Sequence, residues 1–297
     1  MHLVTFTEGG QTRIGILDRE RQEVVDLHAA TGDLPVSMLD FIVQGPAALD
    51  KARQAAAGDE GRIAVDRVRL LAPIPKPGRN IVCIGKNYRT HIQELQGTGL
   101  ASNTVAGDDS PDRPIFFTKA TTSVIGPEDT IPASLDPTAS ADYEGELAVI
   151  IGRGGREITR ADAMQHVYGY TIINDVTSRR LQHDHQQWFL GKSLDGFCPM
   201  GPAILTADAV MDVSALRVRT WVGTELRQDD VVANQIFDIP CLIETLSRTM
   251  TLEPGDIIST GTPAGVGIGF KPPRYLQKGD VVKIRIDPIG VLENRIV

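Results

Sequence analysis

The chain has 297 residues, of which 41% are hydrophobic and 23% are charged, so it can bury a substantial core and has the composition of a globular protein. The formal net charge of −8 excludes the basic surface by which proteins usually bind nucleic acids. No apolar run approaches the roughly 20 residues of a membrane-spanning helix, and an odd number of scattered cysteines argues against a disulfide framework, so we predict a cytoplasmic protein that does not associate with membranes.

The first 72 residues have the pattern of a small leading module. Alternating polar and apolar residues predict short strands at 3–7, 12–17 and 23–27. A helical period follows them at 37–57. The stretch Ala-Pro-Ile-Pro-Lys-Pro-Gly at 72–78 cannot continue a regular element, because proline fixes φ and lacks an amide donor. The sequence therefore predicts a small N-terminal α+β domain at 1–72 and a second domain at 73–297.

The rest of the chain alternates short apolar runs with turn signals. The runs are rich in Val, Ile and Thr, as strands are, and lie at 80–84, 115–118, 146–151, 167–173, 203–206, 216–222, 256–259 and 281–286. Helices are predicted at 159–166, 178–188 and 240–250. Because strands dominate without a regular strand–helix alternation, a mixed, mainly β or α+β architecture is favoured over a TIM barrel or a doubly wound sheet.

One long polar segment interrupts these runs at 97–114, where glycine, serine, asparagine and three aspartates occur. It follows a segment with candidate catalytic residues, so it could close over a site as a lid. A plain surface spacer is the alternative, and the sequence does not choose between them.

Two glutamates begin a strand in the stretch Asp-Tyr-Glu-Gly-Glu-Leu at 142–147. Residues i and i+2 of an extended chain point to the same face, so Glu144 and Glu146 are forced side by side. The intervening Gly145 is expected to leave the opposite face open. A bound cation would relieve the repulsion between the carboxylates and supply the positive charge that an acidic protein needs for an anionic substrate.

A third acid, Asp175, ends a strongly apolar strand, where a charge needs a partner. A hard divalent cation held by three oxygen donors would explain all three acids. Spacing alone leaves another interpretation equally open, in which the glutamates are solvated edge residues and the aspartate caps a helix.

Other polar residues are candidates for chemistry. His91 and Glu94 are three residues apart and share a face of a helical turn, where the carboxylate would fix the imidazole tautomer for general base catalysis, although such pairs are also common on surfaces. Lys192 lies in an apolar stretch, which is unusual unless the lysine is paired. The adjacent polar residues His183, Asp184 and His185 are interpreted as the outer face of a helix.

Six segments together resemble the fumarylacetoacetate hydrolase family, over about residues 71–297. They are NIVCIGKNYRTHIQE at 80–94, DYEGELAVII at 142–151, VYGYTIINDVTSRR at 167–180, FLGKSLDGFCPMGP at 189–202, TGTPAGVG at 260–267 and KGDVVKIRID at 278–287. The resemblance implies a mixed β-sandwich roll that assembles as a homodimer. It also implies that Glu144, Glu146 and Asp175 bind Mg²⁺ or Mn²⁺.

The resemblance further implies roles for the other candidates. His91 and Glu94 would activate water on a segment that orders when substrate binds, and Lys192 would stabilise enolate charge. Gln182 and Thr262 are implied to contact substrate, the latter together with backbone N–H groups of its glycine-rich loop. Arg89, with its neighbours Lys86 and Tyr88, flanks the His–Glu pair and could bind a distal carboxylate, or could simply be solvated.

The implied reaction is hydrolysis of a C–C bond in a 2,4-dioxo acid, which gives pyruvate or a substituted pyruvate and a carboxylic acid. Oxaloacetate decarboxylation, or tautomerisation or isomerisation of a 2-oxo acid, is the alternative, because each uses the same enolate. A non-catalytic scaffold is also conceivable, but the complete set of candidate residues argues against it.

Overall fold

The protein is described by a computed structural model that covers residues 1–96, 98 and 110–297. The interpretation of 97–114 as a lid or a spacer falls mainly outside these residues and stays a prediction. No helix in the described part of the chain is both long enough and apolar enough to cross a membrane.

Strands form most of the regular structure. In chain order they are β1 (His2–Glu8), β2 (Gln11–Asp18), β3 (Glu23–Asp26), β4 (Arg62–Ala64), β5 (Arg69–Leu70), β6 (Ile81–Gly85), β7 (Ile115–Lys119), β8 (Val124–Ile125), β9 (Thr130–Ile131), β10 (Ala141–Asp142), β11 (Gly145–Ile151), β12 (Val167–Asn174), β13 (Thr177–Ser178), β14 (Cys198–Thr206), β15 (Arg217–Val222), β16 (Glu225–Val231), β17 (Ile257–Ser259), β18 (Val281–Ile286) and β19 (Gly290–Ile296). The helices are α1 (Leu27–Thr31), α2 (Met38–Val43), α3 (Gly45–Ala57), α4 (Arg89–Glu94), α5 (Arg179–Asp184), α6 (Phe189–Lys192) and α7 (Ile239–Ser247). The predicted mixed, mainly β fold is confirmed.

Two larger sheets organise the molecule. The first runs in the order β4-β3-β2-β1-β14-β12-β11-β17-β6-β7, with β5 beside β1 and β8 beside β14, and the second runs β16-β15-β18-β19-β9. The short strands β10 and β13 pair with each other. The strand β11 is antiparallel to both of its neighbours, and β17 is parallel to β6. As a result, the start of β11 lies at the same edge of the sheet as the ends of β12, β17 and β6.

The strand β11 is buried on both faces, as its continuous apolar sequence leads one to expect. Leu147 and Val149 belong to a core shared with the second sheet, for example with Ile284. Ala148 and Ile150 belong to a core on the other face. The first sheet is thus the middle layer at the point where the candidate acids lie.

The N-terminal segment joins the rest of the chain through the first sheet. Leu3 of β1 pairs with Ile204 of β14, and the terminal amino group of Met1 donates to Oγ1 of Thr206 at 2.7 Å. Leu3 and Phe41 share their apolar core with Ile150. The division into domains at residue 72 stays a prediction about folding units.

The prediction of one continuous helix at 37–57 is wrong. The segment is broken into α2 and α3, because Gly45 adopts a left-handed φ of 67° and Pro46 follows it. The predicted helix at 178–188 is likewise divided into α5 and α6, with Gln186 at φ 53° between them. At 159–166 the Thr159–Asp162 contact forms, at 2.7 Å, but it precedes a short 3-10 turn, Ala163–His166, and not an α-helix.

Candidate active site

Three acidic side chains converge at the sheet edge. Carboxylate oxygens of Glu144, Glu146 and Asp175 lie within 4.8 Å of one another, and all three residues are buried. Glu144 precedes β11 and Glu146 is its second residue, so both project to one face. Asp175 directly follows β12, and its backbone N–H donates to the carbonyl of Glu144 at 2.8 Å. The sequence prediction that the three acids lie together is confirmed.

Buried cations surround the acid cluster. Nζ of Lys192 donates to Oε2 of Glu144 at 2.8 Å and to Oδ2 of Asp175 at 2.7 Å. Arg179 donates to Oε1 of Glu144 at 2.5 Å, and Nζ of Lys119 lies 2.7 Å from Oδ1 of Asp175. The unusual burial of Lys192 that the sequence indicates is therefore explained by paired charge.

A fourth carboxylate, Asp142, holds Arg179 in place. Its Oδ2 accepts from Nε of Arg179 at 2.8 Å and from the backbone N–H of Ile268 at 2.9 Å. Its Oδ1 accepts from the backbone N–H of Gly267 at 2.7 Å. Asp142 thus ties the end of the glycine-rich loop to the arginine that contacts Glu144.

The two glutamates have opposite electrostatic environments. Burial alone would raise the pKa of Glu144, but the positive charges of Lys192 and Arg179 outweigh it and hold this pKa well below its usual range. Burial raises the pKa of Glu146 well above its ordinary value, and the charges of Asp175 and Glu144 raise it further. A divalent cation at this point would offset the repulsion that Glu146 experiences.

Neutral donors orient Glu146. Its Oε2 accepts from the hydroxyl of Ser259 at 2.6 Å and from the backbone N–H of Gly261 at 2.9 Å. Sequence analysis missed Ser259, Lys119, Arg179 and Asp142. Lys119 carried a readable signal, since a charge that ends an apolar strand was the pattern that identified Asp175.

Gly145 does not leave an open face, and that expectation is wrong. A Cβ atom there would lie 2.2 Å from Oγ1 of Thr220 and 3.3 Å from Cγ2 of Ile284 in the second sheet. The second sheet packs directly on this glycine. Gly145 is therefore required by close packing and not by access to the acids.

The acid cluster fits a hard divalent cation. Its donors are all carboxylate oxygens, which Mg²⁺ and Mn²⁺ prefer. Oδ1 of Asp175 is buried and has no hydrogen-bond partner in the described part of the chain, because the nearby amino group of Lys119 is outside hydrogen-bonding geometry. A buried carboxylate oxygen in this state is suited to coordinate a cation.

The predicted His91–Glu94 pair is formed in α4. Nδ1 of His91 and Oε1 of Glu94 are 2.7 Å apart, and His91 is 5% exposed. Oε2 of Glu94 accepts from the backbone N–H of Gly265 at 2.7 Å, so the glycine-rich loop fixes this carboxylate as well. The contact favours the tautomer that carries its proton on Nδ1, which leaves Nε2 available as a base.

One cleft joins the acids and the His–Glu pair. It is narrow, with a cavity volume of about 30 Å³, and is lined by Glu144, Glu146, His91, Gln182, Lys192 and Thr262, together with Lys86 and Arg179. Its apolar wall includes Phe117 and Trp188, whose rings meet edge to face at 5.3 Å. The convergent charged groups of this cleft suit a small anionic molecule.

The remaining predicted site residues lie in different environments. Gln182 is buried on α5, whereas His183, Asp184 and His185 are exposed, as predicted. The hydroxyl of Thr262 donates to the carbonyl of Gly145 at 3.0 Å and accepts from Gln228 at 2.7 Å.

Arg89, in contrast, is exposed and lies outside the cleft lining. Its guanidinium donates to the hydroxyl of Ser110 at 2.7 Å. The predicted substrate role of Arg89 stays a prediction. Cys83 and Cys198 are free and buried, and Cys241 is free and half-buried.

Comparison with known proteins identifies relatives over nearly the whole chain. Residues 80–297 match the model of the fumarylacetoacetate (FAA) hydrolase C-terminal domain. An oxaloacetate tautomerase of Bacillus subtilis, YisK, is 45% identical over 295 residues, which is 95% of this chain and 94% of that protein.

Solved structures are similar over the full length. A fumarylacetoacetate hydrolase from Exiguobacterium antarcticum has 44% identity and a TM-score of 0.84, covering 100% of this chain and 99% of that one. A maleylpyruvate hydrolase from Sphingobium sp. SYK-6, in complex with a manganese(II) ion and pyruvate, has 34% identity and a TM-score of 0.79 with the same coverage.

Proposed function

The chain belongs to the fumarylacetoacetate hydrolase family of enzymes, and on this premise we propose that it is a divalent-metal-dependent tautomerase of oxaloacetate or a closely related 2-oxo acid. The observation that carries the proposal is the cleft that Glu144 and Glu146 of the acid cluster line together with His91 of the His91–Glu94 pair. The 45% identity to an oxaloacetate tautomerase supports this reaction over C–C hydrolysis.

Glu144, Glu146 and Asp175 would hold Mg²⁺ or Mn²⁺, which supplies Lewis acid stabilisation of enolate charge worth several kcal/mol when bound. His91 then takes the proton from C3 of the substrate through Nε2, while Glu94 keeps the ring in the required tautomer. A base placed in this way contributes about 10²–10⁴ in rate.

Lys192 stabilises the charge that develops on the substrate oxygen. Its ammonium group donates to Glu144 and Asp175 and has a third N–H for the enolate oxygen. Return of the proton from His91 to that oxygen completes the conversion of the keto form to the enol. Gln182 and Thr262, which line the same cleft, would position the substrate.

Hydrolysis of an acylpyruvate is the second candidate. The formed His91–Glu94 pair favours it, because the same base could activate a water molecule to attack the 4-oxo carbon. The similarity to a maleylpyruvate hydrolase in complex with manganese and pyruvate supports it as well. The homodimer and the cytoplasmic location stay predictions. Light scattering on the purified protein checks the homodimer.

The experiment compares both reactions in one preparation. Enol absorbance of oxaloacetate is followed with Mn²⁺ and with EDTA, while pyruvate, CO₂ and carboxylic acid products are quantified for oxaloacetate and for an acylpyruvate. We expect wild type with Mn²⁺ to tautomerise oxaloacetate faster than free Mn²⁺ does. We expect the variants Glu146→Gln and His91→Asn to lose this activity. If wild type and Glu146→Gln give equal rates, the proposal is wrong. Release of CO₂ would indicate decarboxylation instead.

A further inference from the structure

We propose that Gln228 is a positioning residue, which holds the backbone between the candidate metal ligands Glu144 and Glu146 through a closed ring of hydrogen bonds. The inference rests on the proposed function, because the position of these ligands matters only if they bind the metal. Gln228 lies on β16 and is completely buried. A buried glutamine is unusual, because each of its polar groups needs a partner.

An irregularity of β16 turns this glutamine inwards. Gln228 pairs with Thr220 of β15, whereas Leu226 pairs with Trp221, so Arg227 is an extra residue and the register shifts. Irregularities of this kind re-aim side chains. Leu226 is 46% exposed, although a regular strand would place it on the same face as Gln228. The strand thus exposes an apolar side chain and buries a polar one.

The amide of Gln228 and the hydroxyl of Thr262 form the ring with the backbone of Gly145. Oε1 of Gln228 accepts from the N–H of Gly145 at 2.9 Å, and its Nε2 donates to Oγ1 of Thr262 at 2.7 Å. The hydroxyl of Thr262 donates to the carbonyl of Gly145 at 3.0 Å, which closes the ring. Nε2 also donates to the carbonyl of Pro263 at 2.8 Å. Because an N–H only donates and a carbonyl only accepts, these partners fix which end of the amide is the oxygen.

The ring takes the place of a neighbouring strand beside Gly145. On this side of β11 the neighbour is β17, which ends at Ser259, opposite Ala148. The carbonyl of Leu147 still accepts from the backbone N–H of Thr260 at 3.0 Å, just after that strand has ended. At Gly145, two residues earlier in β11, side chains from the second sheet and from the glycine-rich loop satisfy the backbone instead.

Gly145 separates the two glutamates, so the ring acts on both of them. Its N–H belongs to the peptide group that joins it to Glu144, and its carbonyl belongs to the peptide group that joins it to Glu146. Peptide groups are planar, so a hydrogen bond to each of them fixes the direction of the chain on both sides. A glycine permits this approach, because a Cβ would lie 3.2 Å from Oε1 of Gln228 and closer still to Thr220.

Gln228 itself has no role in contacting substrate. Both N–H groups of its amide are used by Thr262 and Pro263, and the residue does not line the cleft. Its effect on the reaction must therefore pass through the position of the metal ligands.

Calorimetric titration with Mn²⁺ tests this role. Gln228→Met keeps the length of the side chain and removes its hydrogen bonds. We expect this variant to bind Mn²⁺ about 10-fold more weakly, at the lower end of the effect of losing a group that orients a metal ligand.

Asn294→Leu is the matched control. Asn294 is a buried residue of β19 in the same sheet, and its amide donates to the carbonyls of Gly126 at 2.9 Å and of Asp129 at 2.8 Å. It does not line the cleft. Asn294→Leu should lose stability in denaturant unfolding, as Gln228→Met does, but should keep the wild-type affinity for Mn²⁺.

The other half of the ring supplies a second test. Thr262→Val removes the hydroxyl and keeps the shape of the side chain, so it should weaken Mn²⁺ binding to a similar degree. Thr262→Ser, which retains the hydroxyl, should restore most of the affinity. Because one ring carries both effects, the double variant Gln228→Met/Thr262→Val should bind Mn²⁺ no more weakly than the weaker of the two single variants.

The inference is overturned if Gln228→Met binds Mn²⁺ as wild type does, if Asn294→Leu weakens binding equally, or if the two effects multiply in the double variant. Should Gln228→Met fail to fold, equal affinities of Thr262→Val and Thr262→Ser would overturn it. Failure of wild type to bind Mn²⁺ would instead overturn the proposed function, and with it this inference.

Discussion

Each acid of the cluster is oriented by a different kind of neighbour. Glu144 contacts the buried cations Arg179 and Lys192, and Asp175 lies between two lysines. The hydrogen bonds to Glu146 in the described part of the chain come from neutral donors. Glu146 is therefore the ligand whose negative charge a cation would neutralise most directly.

Ser259 should tune the affinity for the metal. Its hydroxyl donates to Oε2 of Glu146 at 2.6 Å, and loss of a partner that orients a ligand typically weakens metal binding about 10- to 100-fold. We expect Ser259→Ala to weaken Mn²⁺ binding by this factor, measured by calorimetric titration, with an unchanged circular dichroism spectrum.

Ser123→Ala is the control for Ser259→Ala. Ser123 is also completely buried, but its hydroxyl donates to the carbonyl of Ala120 and not to an acid. It should leave the affinity for Mn²⁺ unchanged. Equal affinities in both variants would show that Ser259 does not orient a metal ligand.

At the scale of elements, the glycine-rich loop after β17 connects the two halves of the site. The backbone N–H groups of Gly261 and Gly265 donate to Glu146 and Glu94. Those of Gly267 and Ile268 donate to Asp142. One loop thus holds a candidate metal ligand, the partner of His91 and the partner of Arg179.

Gly269→Ala should disturb catalysis through this loop. A Cβ at this position would lie 2.5 Å from Oε2 of Glu94, which the N–H of Gly265 holds in place. We expect Glu94 to shift away from His91 and kcat for the proposed tautomerisation to fall about 10- to 100-fold, within the range for a general base. The affinity for Mn²⁺ should not change. Gly78→Ala, whose added methyl group meets no atom within 4 Å, should retain full activity.

Gly145→Ala tests how the second sheet supports the acids. The clash with Oγ1 of Thr220 should destabilise the fold by about 1–3 kcal/mol, as overpacking does, and displace the flanking glutamates. Denaturant unfolding and Mn²⁺ titration should both detect this. Adding Thr220→Ala to Gly145→Ala should restore much of the stability and of the Mn²⁺ affinity, because it removes the clashing Oγ1 atom. The loss of this atom breaks no hydrogen bond, since it has no partner in the described residues.

Thr220→Val supplies the control for that rescue, because it keeps a carbon atom at the position of the hydroxyl oxygen. It should not restore Gly145→Ala. Rescue by both substitutions, or by neither, would contradict the packing explanation.

Local patterns in the sequence predicted those features of the site that depend on local geometry. The spacing of Glu144 and Glu146 is sufficient to place them on one face of a strand, and it did so correctly. The contacts of Ser259 and Lys119 with the acids join residues far apart in the chain, so no local period encodes them. The break before α3 was locally encoded by Gly45 and Pro46, but the helical period on both sides concealed it.

At the scale of the whole molecule, the middle sheet depends on the N-terminal segment. The strand β14 is buried along its whole length and has β1 on one side and β12 on the other. Leu3, Ile14 and Phe41 pack in the same core as Ile150 of the strand that carries the acids. The stability of the candidate site should therefore depend on the N-terminal segment.

Removal of residues 1–72 tests this dependence and the predicted division into domains. It would expose the edge of β14 and remove several buried apolar side chains, each worth about 1.5–3 kcal/mol, against a typical total stability of about 5–15 kcal/mol. We expect 73–297 alone to aggregate, because an exposed apolar edge strand pairs with other chains. Co-expression of 1–72 as a separate chain should restore a soluble complex that binds Mn²⁺, whereas a soluble 73–297 that binds Mn²⁺ by itself would show that the N-terminal segment is an independent domain.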